Sequence, residues 1–321
     1  RLTTGGTFIA SELEKRLADF KHSESALVFN TGYMTNLGVL YGLLQTGDVV
    51  FSDELNHASI IDGCRISRCK VVVYKHNDMA DLQRLLETEI VTGQRFIVTD
   101  GVFSMDGDIA DLPSLAVLKK QFNACLIVDD AHGVGVIGND GSGTASHYGL
   151  TDVIDLQVGT LSKALAAEGG YVAGKKILID YLINRSRPFI FSTALAPATL
   201  AAANAALLLL QTQASKYLDS LRANSRLMRR LLLEGGLNVV EGITPIIPVV
   251  IGEAGLTMQF ADRLKSKGIL VSGIRPPTVP RGESRLRITV TAAHCEEQLR
   301  QAAQIITALW QELKHGEKKE G

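Results

Sequence analysis

The chain has 321 residues, 46% of them hydrophobic, with 33 Lys and Arg against 34 Asp and Glu for a formal net charge of −1. That length buries a large core and suits one large and one smaller domain, while the mixing of both charge signs offers no basic stripe, so nucleic acid is not an expected partner. The longest apolar run, 195–210, contains Pro197, Thr199 and Asn204 and falls short of the ~20 residues a membrane span needs, so it reads as a buried helix and no membrane partner is expected.

Apolar, β-branched runs at 26–29, 49–51, 71–74, 96–99, 125–128 and 153–158 alternate with helical patterns at 11–20, 34–44, 80–89 and 112–122. Such alternation predicts crossover units and an α/β fold built on a mostly parallel sheet with helices on both faces. Ser11 with Glu14 three positions on reads as a capping box that starts the first helix. From Pro197 an Ala- and Leu-rich pattern runs to Leu233 and stops at Gly235-Gly236, a helix able to link two domains. Strand-like runs at 239–240, 246–251, 269–271 and 286–290, with helical patterns at 256–267 and 296–313, predict a smaller α+β C-terminal domain; the division expected is 1–212 and 213–321. Cys64, Cys69, Cys125 and Cys295 lack CxxC spacing and read as reduced thiols, which fits a cytoplasmic compartment. No signal peptide is visible, and a start at Arg1 rather than Met leads us to expect that the true beginning lies upstream.

Lys163 stands in Gly159-Thr-Leu-Ser-Lys163-Ala, after one strand-like run and before Gly169-Gly-Tyr-Val-Ala-Gly174. An amine at a strand end among small residues suits imine chemistry better than a surface ion pair. Asp129 ends the 125–128 run, in Asp129-Asp130-Ala-His132-Gly133. Ligands bind at the carboxyl ends of parallel strands, where an aspartate can keep a pyridine nitrogen protonated while a lysine tethers an aldehyde; the pair points to pyridoxal phosphate. Asn30-Thr31-Gly32-Tyr33-Met34 lies between a strand and a helix pattern, as a phosphate-binding helix start requires.

His57, in Asn56-His57-Ala58-Ser59, could stack on a flat ring or cap the helix it precedes, and His132 could hydrogen-bond a ring hydroxyl. Ser104 and Thr160 offer hydroxyls near the phosphate or ring oxygen, or are turn residues. Gly133-Val-Gly135-Val-Ile-Gly138 fits G-x-G-x-x-G but is followed by Asn-Asp-Gly-Ser-Gly, a turn composition, so a dinucleotide site is not expected. Asp129 and Asp130 lack a third acidic ligand at sensible spacing, and no metal is expected. Arg275, in a loop stiffened by Pro276, Pro277 and Pro280, suits bidentate grip of a carboxylate, whereas Arg285 and Arg287 alternate along a strand and read as structural.

The segments Gly101-Val-Phe-Ser-Met-Asp-Gly-Asp, Val128-Asp-Asp-Ala-His-Gly, Gly159-Thr-Leu-Ser-Lys-Ala-Leu, Arg187-Pro-Phe-Ile-Phe-Ser-Thr and Ile274-Arg-Pro-Pro-Thr-Val-Pro occur in this order. Together, over essentially the whole chain, they resemble the α-oxoamine synthases, a family of fold-type I pyridoxal phosphate enzymes with the aspartate aminotransferase-like fold. The resemblance implies that Lys163 is the Schiff-base lysine, Asp129 the partner of the pyridine nitrogen, His132 the ligand of the ring oxygen and His57 the imidazole stacked on the ring. It places Gly32 and Tyr33 at the phosphate turn, Ser104 and Thr160 near the cofactor, and Ser192 and Thr193 on a segment reaching the phosphate of a neighbouring subunit. A homodimer with the site at its interface follows. Arg275 and Thr278 would receive the amino-acid carboxylate and substrate, with His57 and Arg1 also on the substrate side. The implied reaction is a decarboxylating condensation of L-alanine with a pimeloyl thioester, on CoA or acyl carrier protein; sister members use glycine or serine, and the Arg275-Pro-Pro-Thr loop looks most like the alanine user. The family carries several dozen residues before this chain's start, and Ala166-Ala167-Glu168 stands where relatives often carry more glycine. From another class, a non-catalytic scaffold could keep the same fold.

Overall fold

The β-branched runs pair into one seven-stranded sheet in a computed structural model that describes residues 1–3 and 5–320, with side chains described as far as Lys314. In chain order the first elements are α1 (Phe8–Phe20), β1 (Ser25–Phe29), α2 (Gly32–Leu43), β2 (Val49–Asp53), α3 (Ala58–Ser67), β3 (Lys70–Tyr74), α4 (Met79–Thr88) and β4 (Arg95–Asp100). They continue with α5 (Leu112–Gln121), β5 (Ala124–Asp129), α6 (Thr144–His147), β6 (Leu156–Thr160), β7 (Gly170–Gly174), α7 (Lys176–Arg185), α8 (Arg187–Ile190) and α9 (Pro197–Glu234).

The strand order is β1-β7-β6-β5-β4-β2-β3; β3, β2, β4, β5 and β6 run parallel, and β7 is antiparallel to both its neighbours. Alternate residues of the central strands face opposite layers. Val50, Val98, Ile127 and Val158 pack with Val39 and Leu40 of α2 and Ile60 of α3, while Phe51, Ile97, Leu126 and Val128 pack with Leu82 of α4 and Leu115 of α5. Covering both faces explains why these strands read as continuous apolar runs rather than as alternating ones. Each such aliphatic side chain contributes about 1.5–3 kcal/mol on burial.

Around this sheet two sequence expectations shift, and one strand was not foreseen. Helix α1 begins at Phe8 with Thr7 as its N-cap, so Ser11 lies inside the helix and no capping box forms; Glu14 instead accepts the Val28 N–H of edge strand β1 at 3.1 Å. The run from 153 forms a strand only from Leu156, residues 151–155 being turns and an irregular approach whose Asp155 N–H donates to the Leu126 carbonyl at 3.1 Å. Strand β7, too glycine-rich to read as a strand, needs those glycines: a Cβ on Gly170 would stand 2.4 Å from Thr35 Oγ1, and one on Gly174 would stand 2.3 Å from the Asp155 carbonyl oxygen.

Contacts divide the chain into two units, one of Arg1–Phe103 and Ile109–Ser215, the other of Ser104–Asp108 and residues from Lys216 onward. Helix α9 passes from one to the other and is broken at Gln213, whose φ of −134° is not helical. The second unit holds β8 (Ile246–Gly252), α10 (Ala254–Ser266), β9 (Ser272–Ile274), β10 (Ser284–Thr289) and α11 (Glu296–Glu320). Its antiparallel sheet, in the order β8-β10-β9, packs Ile247, Val249 and Leu286 against Leu232, Phe260 and Ile306. The strand expected at 269–271 forms three residues later, and 239–240 makes one isolated bridge, Val239 to Val249. Ser104–Asp108 belongs here because β10 and Thr244 hold it: Arg285 pairs with Asp106, Arg287 donates to the Ser104 carbonyl, and the Thr244 hydroxyl donates to the Gly107 carbonyl at 2.7 Å.

In the first unit the Lys21 ammonium, wholly buried just past α1, donates to Asp130 Oδ2 at 2.9 Å and to the Ser142 carbonyl. Asp130 also accepts from the Thr144 N–H and hydroxyl. The pair clamps the chain leaving β5 to residues 142–144. Removing one partner strands a buried charge, so Lys21→Met should lower the unfolding free energy by about 3–5 kcal/mol, with Asp130→Asn in the same chain recovering much of the loss, as measured by urea denaturation. Equal losses in the single and double variants would refute the pairing argument.

Candidate active site

Parallel strands place their last residues along one edge of the sheet, and here β2, β4, β5 and β6 end in Asp53, Asp100, Asp129 and Thr160. Asp53 is spent on local structure, accepting from the Leu55 and Asn77 N–H groups and pairing with His76 Nδ1 at 3.0 Å. Asp129 is different. Its Oδ1 accepts from the Ala131 N–H at 3.0 Å and its Oδ2 from the Asn36 amide at 2.6 Å. A carboxylate has about four acceptor positions, so this buried group, 6% exposed, keeps capacity for a further donor such as a pyridinium N–H.

Asp100 is the direct sheet neighbour of Asp129. Burial pushes the Asp100 carboxyl well above the usual carboxylate range, and the charge of Asp129 pushes it further; the His57 N–H, which Asp100 Oδ2 accepts at 2.9 Å, and the charge of Lys163 pull the other way. The influence of Lys163 places its amine within electrostatic reach of Asp100.

Lys163 rides on residues 161–169, the connection between antiparallel β6 and β7. Leu161 and Leu165 are buried on either side and anchor the turn, which the Ala166 N–H closes onto the Lys163 carbonyl at 3.1 Å, leaving the lysine itself exposed. His57 is the N-cap of α3, its Nδ1 accepting from the Ser59 N–H at 3.2 Å, and its own N–H donates to Asp100 at the same sheet edge. His132 lies in the turns that follow β5, three residues past Asp129.

Helix α2 starts at that edge too. Thr31 caps it by accepting the Met34 N–H at 3.0 Å, and the Gly32 and Tyr33 N–H groups, in the first turn, have no acceptor within the helix. A Cβ on Gly32 would lie 3.3 Å from Thr160, so glycine lets the helix start close on the end of β6. A bare helix N-terminus pressed against a strand end fits an anion. Thr160 donates to the Gly169 carbonyl at 3.0 Å and accepts the Ser162 N–H, and Asn30 donates to the Thr193 carbonyl at 2.6 Å, which brings the Ser192–Thr193 segment to the same helix start. The Tyr33 hydroxyl donates to Asp62 at 2.6 Å.

The expected site residues therefore separate. Asp129, His57, Lys163, Gly32, Tyr33, Thr160 and Thr193 gather at one edge of the first unit, and their groups fit pyridoxal phosphate: an acceptor for the ring nitrogen, an amine, an imidazole and a helix start for phosphate. Ser104, Arg275 and Thr278 belong to the second unit, where the Thr278 N–H donates to the Arg275 carbonyl at 3.1 Å. Arg1 donates to the Val28 carbonyl at 3.1 Å and lies 4.5 Å over the Phe189 ring. Gly133–Gly138 forms turns rather than a helix start, and among the described residues no group of His, Cys, Asp or Glu could hold a metal ion. Sequence reasoning missed Asp100, Asn36 and Ser59. A polar residue closing a parallel strand was the available signal for Asp100, and a lone Asn inside an apolar helix pattern was the signal for Asn36.

Residues 1–306 match the family model for aminotransferase class I and II. The 8-amino-7-oxononanoate synthase of Lysinibacillus sphaericus is 51% identical over 93% of this chain and 77% of its own length. That of Geobacter sulfurreducens is 51% identical over 98% and 80%, and 8-amino-7-oxononanoate synthase 1 of Bacillus subtilis is 46% identical over 97% and 79%. Among solved structures, Sphingomonas wittichii serine palmitoyltransferase superposes with a TM-score of 0.95 at 30% identity, covering 98% of this chain and 79% of that one. An 8-amino-7-oxononanoate synthase from Francisella tularensis gives 0.82 at 31%, covering 97% and 89%.

Asp100 titrates above its unfolded value, so the stability it contributes is present below the unfolded carboxylate pKa and is lost as pH rises through the raised folded one. Asp100→Asn removes that loss while its amide oxygen can still accept the His57 N–H. In cofactor-free protein the variant should gain stability over the wild type from pH 5 to pH 8 in urea denaturation; a difference independent of pH would count against the raised value.

Proposed function

The chain belongs to the class I and II aminotransferase family, and on that footing we propose that it is an 8-amino-7-oxononanoate synthase, an α-oxoamine synthase of biotin biosynthesis. The reaction joins L-alanine to a pimeloyl thioester, on CoA or acyl carrier protein, and releases CO2 and the free thiol. The observation that carries this reading is about 50% identity, over nearly the whole chain, to curated relatives of that name. The amine and carboxylate at one sheet edge support it.

Pyridoxal phosphate, when bound, supplies an electron sink for the charge that develops at alanine Cα. Asp129, held by Asn36 and Ala131, would keep the ring nitrogen protonated, and Lys163 would hold the cofactor aldehyde carbon, then take the Cα proton and return one at the end. His57 would lie on the ring face, with its backbone fixed by Asp100 and its ring by Ser59. The α2 start and Thr160 would receive the phosphate and His132 the ring oxygen. The same reading makes the working form a homodimer with the site at its interface, and makes it cytoplasmic; the assignment of Ser192 and Thr193 to a neighbouring subunit's phosphate has against it that Asn30 holds Thr193 at this chain's own α2 start. All four cysteines are free thiols, and among the described residues no helix is long and apolar enough to cross a membrane.

A second reading, a serine-using sister, has the close superposition on serine palmitoyltransferase in its favour. Backbone likeness is shared across substrates, whereas specificity is set by pocket side chains, which the higher identity to the alanine-using relatives tracks. Purified protein offered alanine, glycine and serine against pimeloyl-, acetyl-, succinyl- and palmitoyl-CoA should prefer alanine with the pimeloyl thioester by about tenfold or more. A preference for serine with palmitoyl-CoA would transfer the assignment to the sister. Lys163→Ala should lose both the visible absorption of the loaded enzyme and turnover; normal turnover in that variant would falsify the role of the lysine.

A further inference from the structure

Between Asp129 and His57 runs a continuous set of hydrogen bonds through Asn36 and Ser59. Asn36, in the second turn of α2 and 2% exposed, donates one amide hydrogen to Asp129 Oδ2 at 2.6 Å and the other to Ser59 Oγ at 2.9 Å. Ser59 Oγ in turn lies 2.7 Å from His57 Nδ1. The two helices can approach this closely because α3 carries Gly63 where it crosses α2; a Cβ there would stand 3.2 Å from the Asn36 carbonyl and 2.7 Å from Leu40.

The donors can be assigned from this arrangement. With the Asn36 amide reversed, its oxygen would face a carboxylate oxygen at 2.6 Å, so the nitrogen must be the group between Asp129 and Ser59. Ser59 Oγ therefore accepts from Asn36 and has its single hydrogen left to give. His57 Nδ1 is the acceptor of the Ser59 N–H as well, at 3.2 Å, which requires its lone pair to point toward Ser59. The Ser59 hydroxyl thus also donates to Nδ1, and the ring's proton is on Nε2.

We propose that Asn36 and Ser59 are positioning residues that lock the His57 imidazole as its Nε2–H tautomer and tie it in one hydrogen-bonded chain to the Asp129 carboxylate. This rests on the assignment of Asp129 and His57 to the cofactor made above. The two groups would address the same flat ring from different directions, Asp129 at its nitrogen and His57 over its face. One amide fixes the distance between them.

The test uses the full chain loaded with pyridoxal phosphate and labelled with 15N-histidine, His57→Gln identifying the resonance. Wild type should show a protonated Nε2 and an unprotonated Nδ1 at neutral pH. Ser59→Ala and Asn36→Ala should each give a mixture of tautomers, while Ser59→Thr, which keeps a hydroxyl, should restore the wild-type spectrum. Asn36→Ala should also shift the pH titration of the visible band and lower kcat by about tenfold or more, the weight of one hydrogen bond to a charged group, with the KM for alanine nearly unchanged. If Asn36→Ala does not fold, Ser59→Ala decides the matter alone through the tautomer. The proposal is overturned by an Nδ1–H or cationic ring in wild type, or by variants whose His57 spectrum and visible band both stay at wild type. Should Asp129→Asn and His57→Gln themselves leave the band and turnover untouched, the site assignment falls and this inference with it; should they abolish turnover while Asn36→Ala and Ser59→Ala change nothing, this inference alone is lost.

Discussion

A single buried carboxylate organises the site. Asp129 closes β5 in the middle of a sheet covered on both faces, where an ionised oxygen must find donors or lose its charge. The backbone of Ala131 and the amide of Asn36 supply them. A second acid, Asp100, sits next to it on β4, and two carboxylates side by side in such a place do not ionise with equal ease. Asp100 is the one that burial and the neighbouring charge push toward its neutral form. Asp100 also has a structural task, since its oxygen holds the backbone of His57.

Geometry around that charge follows from sheet topology. The parallel strands β2, β4, β5 and β6 deliver their carboxyl ends along one edge, so groups far apart in the sequence arrive as neighbours. The reversal at β7 adds what a purely parallel sheet could not: a short connection straight back from β6, with its two leucines in the core and Lys163 raised between them. Small residues then allow the close packing. Gly32 meets Thr160, Gly170 meets Gly32 and Gly63 meets α2, and each contact draws a polar end toward the edge.

Much of this was readable before any coordinates. Lys163, Asp129 and Gly32 stand at strand ends or a helix start, and the apolar runs locate both kinds of boundary. Asp100 escaped because the run before it reads as ending at Thr99, one residue short of the strand. Asn36 and Ser59 escaped for a different reason: a polar residue within a helix pattern ordinarily faces water, and only the contact of α2 with α3 makes these two an interior pair. Strand β7 was hidden by glycines that serve packing, not flexibility. The capping box failed because Glu14 answers to an edge strand fourteen residues on rather than to its own helix. The early strand at 269–271 failed because Ile269 and Val271 pack against the second core without pairing.

The grouping of Ser104–Asp108 with the C-terminal unit bears on how the protein is made. Asp106 and the Ser104 carbonyl wait for Arg285 and Arg287, which lie 179 and 183 residues further along. On a ribosome delivering about 5–20 residues per second, that separation is a delay of roughly ten seconds or more, during which the β4–α5 connection is without its mates. Residues 104–108 cannot take up these contacts until β10 has left the exit tunnel.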